Sequence, residues 1–286
     1  MKARRRRAAR PRGERTTFTS LALVLHSSEW SETSRVVQLL LPTAGRCTVL
    51  ARGVERASSP WRGVFDLLCL VEVELEAEEG RELHALRRAR LVEHYPRLRT
   101  ELARWYRALY AAELVEAATP PGQPAPELFA AFCDALARWC DPHADPDEEL
   151  IAFEWRYLEA LGLSPALTAC ATCGRSVDPA RAQTALFHPS AGGVQCSACR
   201  SQARLDLMPS RAGRPRTTWR RVPVATLFAL ERARREPLEA RGEALVDRDR
   251  ERAEETSALR RTARHLLDDF LAWQLERPSR VRPFLR

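Results

Sequence analysis

Two cysteine pairs of the form C-x-x-C, Cys170 with Cys173 and Cys196 with Cys199, flank residues 174–195 in a chain of 286 residues. Two residues between cysteines let both sulfurs of a pair meet one ion from a tight turn. Two such pairs complete the tetrahedron of a closed zinc site. Gly174 follows the first pair and "SAGG" (190–193) precedes the second, so both turns have the backbone freedom they need. Between the pairs only Leu186, Phe187 and Val194 are large and apolar, too few to fold the stretch unaided. Metal binding, worth ~10–16 kcal/mol in zinc-finger peptides, would go into folding it. Iron–sulfur ligation is the alternative for four thiolates. A thioredoxin-type redox pair needs a single C-x-x-C at a helix N-terminus after a strand. His188 reads as a solvated loop histidine, not as a ligand. With all four positions filled by protein no site is left open for water, so the expected role is structural. Cys47, Cys69, Cys133 and Cys140 sit singly in apolar stretches and read as buried thiols.

Ahead of this clip the chain has two different periodicities. From Phe18 to about Val92 it has that of strands: "LALVLHS" (21–27), "SRVVQLLL" (34–41), "RCTVLARG" (46–53), "VEVELE" (71–76) and "ELHALRRARLV" (82–92), with the turn "PTAG" at 42–45. "VEVELE" alternates strictly, which turns Val71, Val73 and Leu75 to a core and Glu72, Glu74 and Glu76 to solvent. Five short strands with no long helix between them predict a small closed barrel.

After Tyr95 the period becomes helical. A helix over 96–118 is expected to present Leu98, Leu102, Trp105, Leu109 and Tyr110, and one over about 126–140 to present Leu128, Phe129, Phe132, Leu136 and Trp139. A third begins at Asp145 as N-cap, with Pro146 at N1 and Glu148 completing a capping box, and stops at Gly162. Past the clip, helices are expected over 223–236 and about 254–276, the last with Leu259, Leu266, Leu267, Phe270 and Leu271 inward. The domain plan is a disordered basic tail (1–17), the barrel (18–92), and a helical domain (93–286) carrying the cysteine insertion at about 167–203.

Charge is distributed unevenly. The formal net charge is +8, and nearly all of it lies in residues 1–15, where Lys2 and seven arginines face only Glu14. That leader reads as a solvated, disordered segment; the alternative is a flexible arm for phosphates. It lacks the apolar stretch of a secretory signal, and no apolar run approaches the 18 residues of a membrane span, so a cytoplasmic protein is expected. No phosphate-binding glycine loop, G-x-S-x-G or H-E-x-x-H is present. The carboxylate pair Asp268–Asp269 lies on a helix where at least one member would face solvent, so no enzyme is expected.

The order of these parts resembles the RecO family of bacterial recombination mediators. The likeness runs from about residue 18 nearly to the end. It is carried by "ALVLHSSEWSETSRVVQLLLPTAGRCTVLARGVERASSPWRG" with its Glu32–Arg35 tetrad, Gly45, and Arg52–Gly53, then by "FEWRYLEALGLSPALTACATCGR", and by the closing "ARHLLDDFLAWQLERPSRVRPFL". Before Gly53 the family often has lysine, and this chain has arginine. The resemblance implies an OB-fold barrel followed by an all-α domain with a zinc ribbon, hence an α+β multidomain protein. It implies binding of single- and double-stranded DNA, annealing of complementary strands, and partnership with RecR and single-strand-binding protein in loading RecA, at the nucleoid. OB folds bind single strands through a basic groove and stacking aromatics. Residues 30–65 hold Arg35, Arg46, Arg52, Arg56 and Arg62 against two acids, whereas 66–82 hold seven acids against Arg81. DNA is therefore expected at those five arginines, with Trp30 and Trp61 as stacking platforms or core residues. The arginine-rich stretch 200–221 is a second basic patch, for DNA or for the acidic tail of single-strand-binding protein. A zinc-ribbon adaptor whose barrel binds protein instead of nucleic acid is the competing reading, with a metal-dependent nuclease as the third.

Overall fold

The computed structural model describes residues 15–78, 83–202, 218–235, 250–275 and 279–285. The basic leader and most of the 200–221 patch lie outside them. The chain falls into two compact units: the residues up to Pro96 together with Thr119–Cys133, and Arg97–Ala118 together with the residues from Asp134 onward. No described helix is long and apolar enough to cross a membrane.

The first unit is β-rich and OB-like. Its strands are β1 (Arg15–Ser31), β2 (Ser34–Leu41), β3 (Gly45–Ala51), β4 (Leu70–Glu78) and β5 (Leu83–Glu93). Pairing runs β1-β2-β3-β5-β4, with β4 back against β1. All pairs are antiparallel except β3 with β5, which are parallel and meet only at Thr48–Leu50 with Leu83–Ala85. The period-2 pattern decides the inside. Val71, Val73 and Leu75 of β4 are fully buried with Val37 and Leu39 of β2 and Val49 of β3. At ~25 cal/mol per Å² of apolar surface, that shared core is the main stabilising term of the unit.

Two connections are fastened to this barrel. The long stretch between β3 and β4 sends Val54, Val64, Phe65 and Cys69 into the same core, with Trp61 packed on it. It re-enters at Leu68, in a left-handed conformation (φ 65), whose N–H donates to the Val24 carbonyl. The segment from Thr119 straps the start of β3: Gly122 N–H donates to the Arg46 carbonyl and Ala125 N–H to the Pro42 carbonyl. Gly45 allows this approach. Its φ is +61, and a Cβ there would sit 2.0 Å from the Gln123 carbonyl oxygen. Residues 119–133, expected in the helical domain, thus belong with the barrel because backbone pairing ties them to it.

The second unit contains α1 (Pro96–Thr100), α2 (Leu102–Ala118), α3 (Pro126–Cys140, whose first half falls in the other unit), α4 (Pro146–Ala160), β6 (Thr184–His188), β7 (Gly193–Gln195), α5 (Ser197–Gln202), β8 (Arg220–Pro223), α6 (Val224–Arg235) and α7 (Arg250–Gln274). Asp145 caps α4 as expected, its Oδ1 accepting from the N–H groups of Asp147 and Glu148. The Glu148 carboxylate pairs instead with Arg260 of α7. The face expected over 96–118 is met at Leu98 and Tyr110, both buried, but fails at Leu102. Leu102 is 64% exposed, while Arg104 and Arg107 are buried. Arg104 explains the exchange: its guanidinium donates to the carbonyls of Trp139 (2.9 Å), Asp141 (3.2 Å) and Ala144 (3.2 Å), and so caps the C-terminal end of α3. A buried arginine that spends its donors on carbonyls satisfies groups that would otherwise be orphaned.

Candidate metal centre and nucleic-acid interface

The four cysteines of the clip come together. Cys170 and Cys173 lie in the turn before Gly174, Cys196 follows β7, and Cys199 lies in α5. Their Sγ atoms all lie within 4.8 Å of one another, and those of Cys173 and Cys196 are 3.8 Å apart. A tetrahedral ion with ~2.3 Å bonds to sulfur places its ligands about 3.8 Å apart, so the four thiolates can hold one metal ion. The backbone prepares the site. Cys196 N–H points to the Cys170 sulfur at 3.4 Å. Burial works against ionising the Cys170 thiol, but backbone N–H groups of Cys196, Cys173 and Thr172 outweigh it and hold the thiol at about 6.

The turns are clamped from outside as well. Ala171 N–H donates to the Val194 carbonyl, and Val194 N–H to the Ala166 carbonyl. Gly193 makes this possible: φ is +138, and a Cβ would sit 2.3 Å from the Ala166 carbonyl oxygen. Gln195, buried, donates from Nε2 to Thr172 Oγ1 at 2.7 Å and ties the second knuckle to the first. β7, β6 and β8 form a three-stranded sheet beside the clip.

His188 corrects the expectation of a solvated loop residue. It ends β6, is 3% exposed, bonds Ser190 Oγ through Nδ1 at 2.8 Å, and lies against Trp219 at 4.7 Å between ring centroids. The signal was the continuous apolar run in "TALFH", which ends with Phe187 and His188 buried on the two sides of a strand. Of the single cysteines, Cys47 and Cys69 are buried as expected, but Cys133 and Cys140 are only half-buried. Burial pushes the Cys47 thiol up to about 12, which makes it inert. Asp269 pairs with Arg220, and Asp268 pairs with Arg282 at 3.1 Å beside the buried Glu154; among the described residues, no group of three or more acids gathers at one point.

The five arginines of the first unit separate into two groups. Arg35, on β2, pairs through Nε with Glu55 of the β3–β4 connection and donates to Ser27 Oγ at 3.3 Å. Arg46, on β3, donates its Nε to the Thr119 carbonyl and so fastens the strap. Both are half-buried. Arg52, Arg56 and Arg62 are exposed, and among the described residues none of the three forms a side-chain hydrogen bond or ion pair. Their backbone is nevertheless fixed. Val54, Val64 and Phe65 are sunk in the core, Gly53 N–H donates to Ser34 Oγ, and Glu55 N–H donates to the Thr33 carbonyl. Of the tryptophans, Trp61 packs on the barrel core and Trp30 stands 67% exposed near the β1–β2 turn.

The acidic face of β4 is not what the charge count implied. Glu72 pairs with Arg90 (3.2 Å), Glu74 with Arg88 (3.4 Å), and Glu76 with Arg87 and Arg15. The hydrogen bond from Arg87 holds the Glu76 carboxyl below its ordinary range. The signal lay in "LRRAR" of β5, beyond the 66–82 window in which the acids were counted.

Known proteins share these parts in the same order. The family description "Recombination protein O N terminal" matches residues 16–95, and "Recombination protein O C terminal" matches residues 99–283. The chain is similar to a protein named DNA repair protein RecO from Anaeromyxobacter sp. (strain Fw109-5), 31% identical over 272 residues, covering 95% of this chain and 96% of that one. A protein of the same name from Roseiflexus sp. (strain RS-1) is 32% identical over 251 residues, 88% of this chain and 81% of that one. Another, from Rhodopirellula baltica, is 33% identical over 186 residues, 65% of this chain and 68% of that one. With both family regions matched in sequence over most of its length, this chain belongs to the recombination protein O family, the RecO DNA repair proteins.

Proposed function

We propose that this chain is a recombination mediator that binds single- and double-stranded DNA, anneals complementary strands and, with RecR, helps load RecA onto DNA coated with single-strand-binding protein. It acts in the cytoplasm at the nucleoid and carries out no covalent step of its own. One observation carries the DNA reading: Arg52, Arg56 and Arg62 are three outward guanidinium groups, without a side-chain partner among the described residues, on a connection anchored in the barrel core. Exposed arginines on a rigid frame meet phosphates without first breaking ion pairs or ordering a loop. Arg35 then works indirectly, holding Glu55 and with it the loop. Arg46 holds the strap. Trp30 supplies a face on which a base can stack, worth ~1–3 kcal/mol. Cys170, Cys173, Cys196 and Cys199 would hold a zinc ion as a cross-link of the second unit, with every ligand position filled by protein.

The test is the salt dependence of affinity for a single-stranded oligonucleotide. Log affinity should fall linearly with log salt concentration, and Arg52→Gln/Arg56→Gln/Arg62→Gln should flatten the slope by about 2, at ~0.7 for each phosphate no longer neutralised. An unchanged slope would move DNA off this loop. No salt-dependent binding by protein lacking the basic leader would leave the adaptor reading standing. For the metal, the purified chain should contain stoichiometric zinc. Cys196→Ser should lose it and loosen the region around the clip, while the barrel keeps its oligonucleotide affinity.

A further inference from the structure

β5 has a free edge. On one side it pairs with β4 from Ala85 to Glu93, between Glu76↔Ala85 and Leu70↔Glu93, apart from two bulges. On the other side it meets β3 only as far as Ala85. Among the described residues, nothing pairs with the backbone of residues 86–93 on that second side. An unpaired row of N–H and C=O groups is a template for another strand. Two bulges, at Arg87 and Val92, frame its regular part, Arg88–Leu91. Arg88 and Arg90 point outward with their side chains 86% and 66% exposed, and Ala89 and Leu91 alternate inward. Leu91 and Val92 are 38% and 40% exposed, more than a finished barrel wall would leave.

We propose that this edge accepts a short extended segment in which acidic and apolar residues alternate, contributed by a protein partner. The chemistry is written on the opposite side of the same strand. β4 meets β5 with Val71 and Val73 inward and with Glu72 and Glu74 outward on Arg90 and Arg88. A strand added at the free edge meets the same residues from the other side: its acids share the exposed Arg88 and Arg90 guanidinium groups with Glu74 and Glu72, and its apolar residues cover Ala89 and Leu91. A second copy of this chain fits poorly, because β5 against β5 sets arginine against arginine, and like charges across strands repel. The basic leader (residues 1–15) carries the wrong charge for the same reason.

The probe is a fluorescein-labelled peptide with the sequence of Leu70–Glu78, LVEVELEAE, titrated with the full chain at low salt. Saturable binding is expected. Arg88→Gln/Arg90→Gln should weaken it about tenfold. Methylating alternate backbone nitrogens of the peptide, on the side that would pair, should abolish it, since strand addition depends on main-chain hydrogen bonds. In the unsubstituted protein, amide exchange should slow at residues 86–93 and stay unchanged at 70–78. Absence of saturable binding overturns the proposal, and so does binding indifferent to N-methylation or to the arginines. Faster exchange at 70–78 would mean that the peptide displaces β4, and a dimer abolished by the same substitutions would mean that a second copy takes the edge. Either result also overturns it.

Discussion

The two units treat charge in opposite ways. Among the described residues, no arginine or carboxylate of the first unit is buried, whereas the second buries Arg104, Arg107, Glu149 and Glu154. A charge held inside must be matched or neutralised by its surroundings, so its job is to fix structure. A charge left outside and unpaired is available to a partner. The barrel contains both surface cases, the β5 arginines facing β4 glutamates and, among the described residues, Arg52, Arg56 and Arg62 facing none. Arginine count alone therefore does not separate the two cases; the presence or absence of an internal partner does.

The largest effect that could break this comparison is at Arg104. Arg104→Ala removes the donor to the Trp139 carbonyl at the end of α3 and to the Asp141 and Ala144 carbonyls in the turn after it, and a partner that Glu101 now meets at 2.6 Å. The expected loss of stability is about 3–5 kcal/mol, read by chemical denaturation, with oligonucleotide affinity of the remaining folded protein unchanged. Arg104→Lys should recover little, because an ammonium is a point donor and cannot span the fork of carbonyls. A DNA defect without a stability defect would make Arg104 an interface residue and erase the distinction between the units.

Glu154 comes next. It is fully buried on α4, among Tyr110, Arg264, Asp268 and Arg282. Burial raises its carboxyl from 4.5 to about 7 against the pull of Arg264. The folded state therefore holds this proton more tightly than the unfolded chain does. The contribution to stability is full below about 4.5 and is lost as pH rises through about 7. The loss is about 3 kcal/mol for a shift of that size. Glu154→Gln carries no such proton. Relative to the natural protein, the variant should gain stability between pH 5 and 8. A difference that stays flat across that window would mean that the carboxylate is satisfied where it stands.

Legibility in the sequence follows the same division. In the barrel, "VEVELE" gave its strand and inward residues because surface charge keeps a two-residue alternation clean, whereas "SRVVQLLL" gave a strand without a face, its Leu39, Leu40 and Leu41 all being buried. The clustering of the four cysteines was legible because C-x-x-C is a local spacing and tetrahedral closure needs two of them. In α2 the apolar count chose Leu102, since nothing in a helix period announces that Arg104 and Arg107 will be buried against carbonyls and Asp147. The strap of residues 119–125 was hidden because it is held by backbone hydrogen bonds, to which side-chain patterns are blind. The outward arginines were nameable from sequence, but which of the five were already spoken for was not: the partners of Arg35 and Arg46 come from Glu55 and Thr119, and the second is remote in the chain.

The smallest effect is the sharpest test of what pairing means on the barrel surface. Arg90 and Glu72 are 3.2 Å apart, with side chains 66% and 43% exposed. At that exposure solvent screens most of the attraction, and a double-mutant cycle on Arg90→Gln and Glu72→Gln should give a coupling of only ~0.2–1 kcal/mol. Small as it is, the coupling separates the two kinds of arginine. If it is measurable at low salt and vanishes at high salt, Arg90 spends its time on Glu72, and a phosphate must compete for it. Its removal should then leave the salt slope of oligonucleotide binding where it was. If the coupling is zero at all salt concentrations, Arg90 is as free as Arg52, Arg56 and Arg62. The slope should then fall with Arg90→Gln too, and the proposed DNA surface would have to extend from the loop across β5.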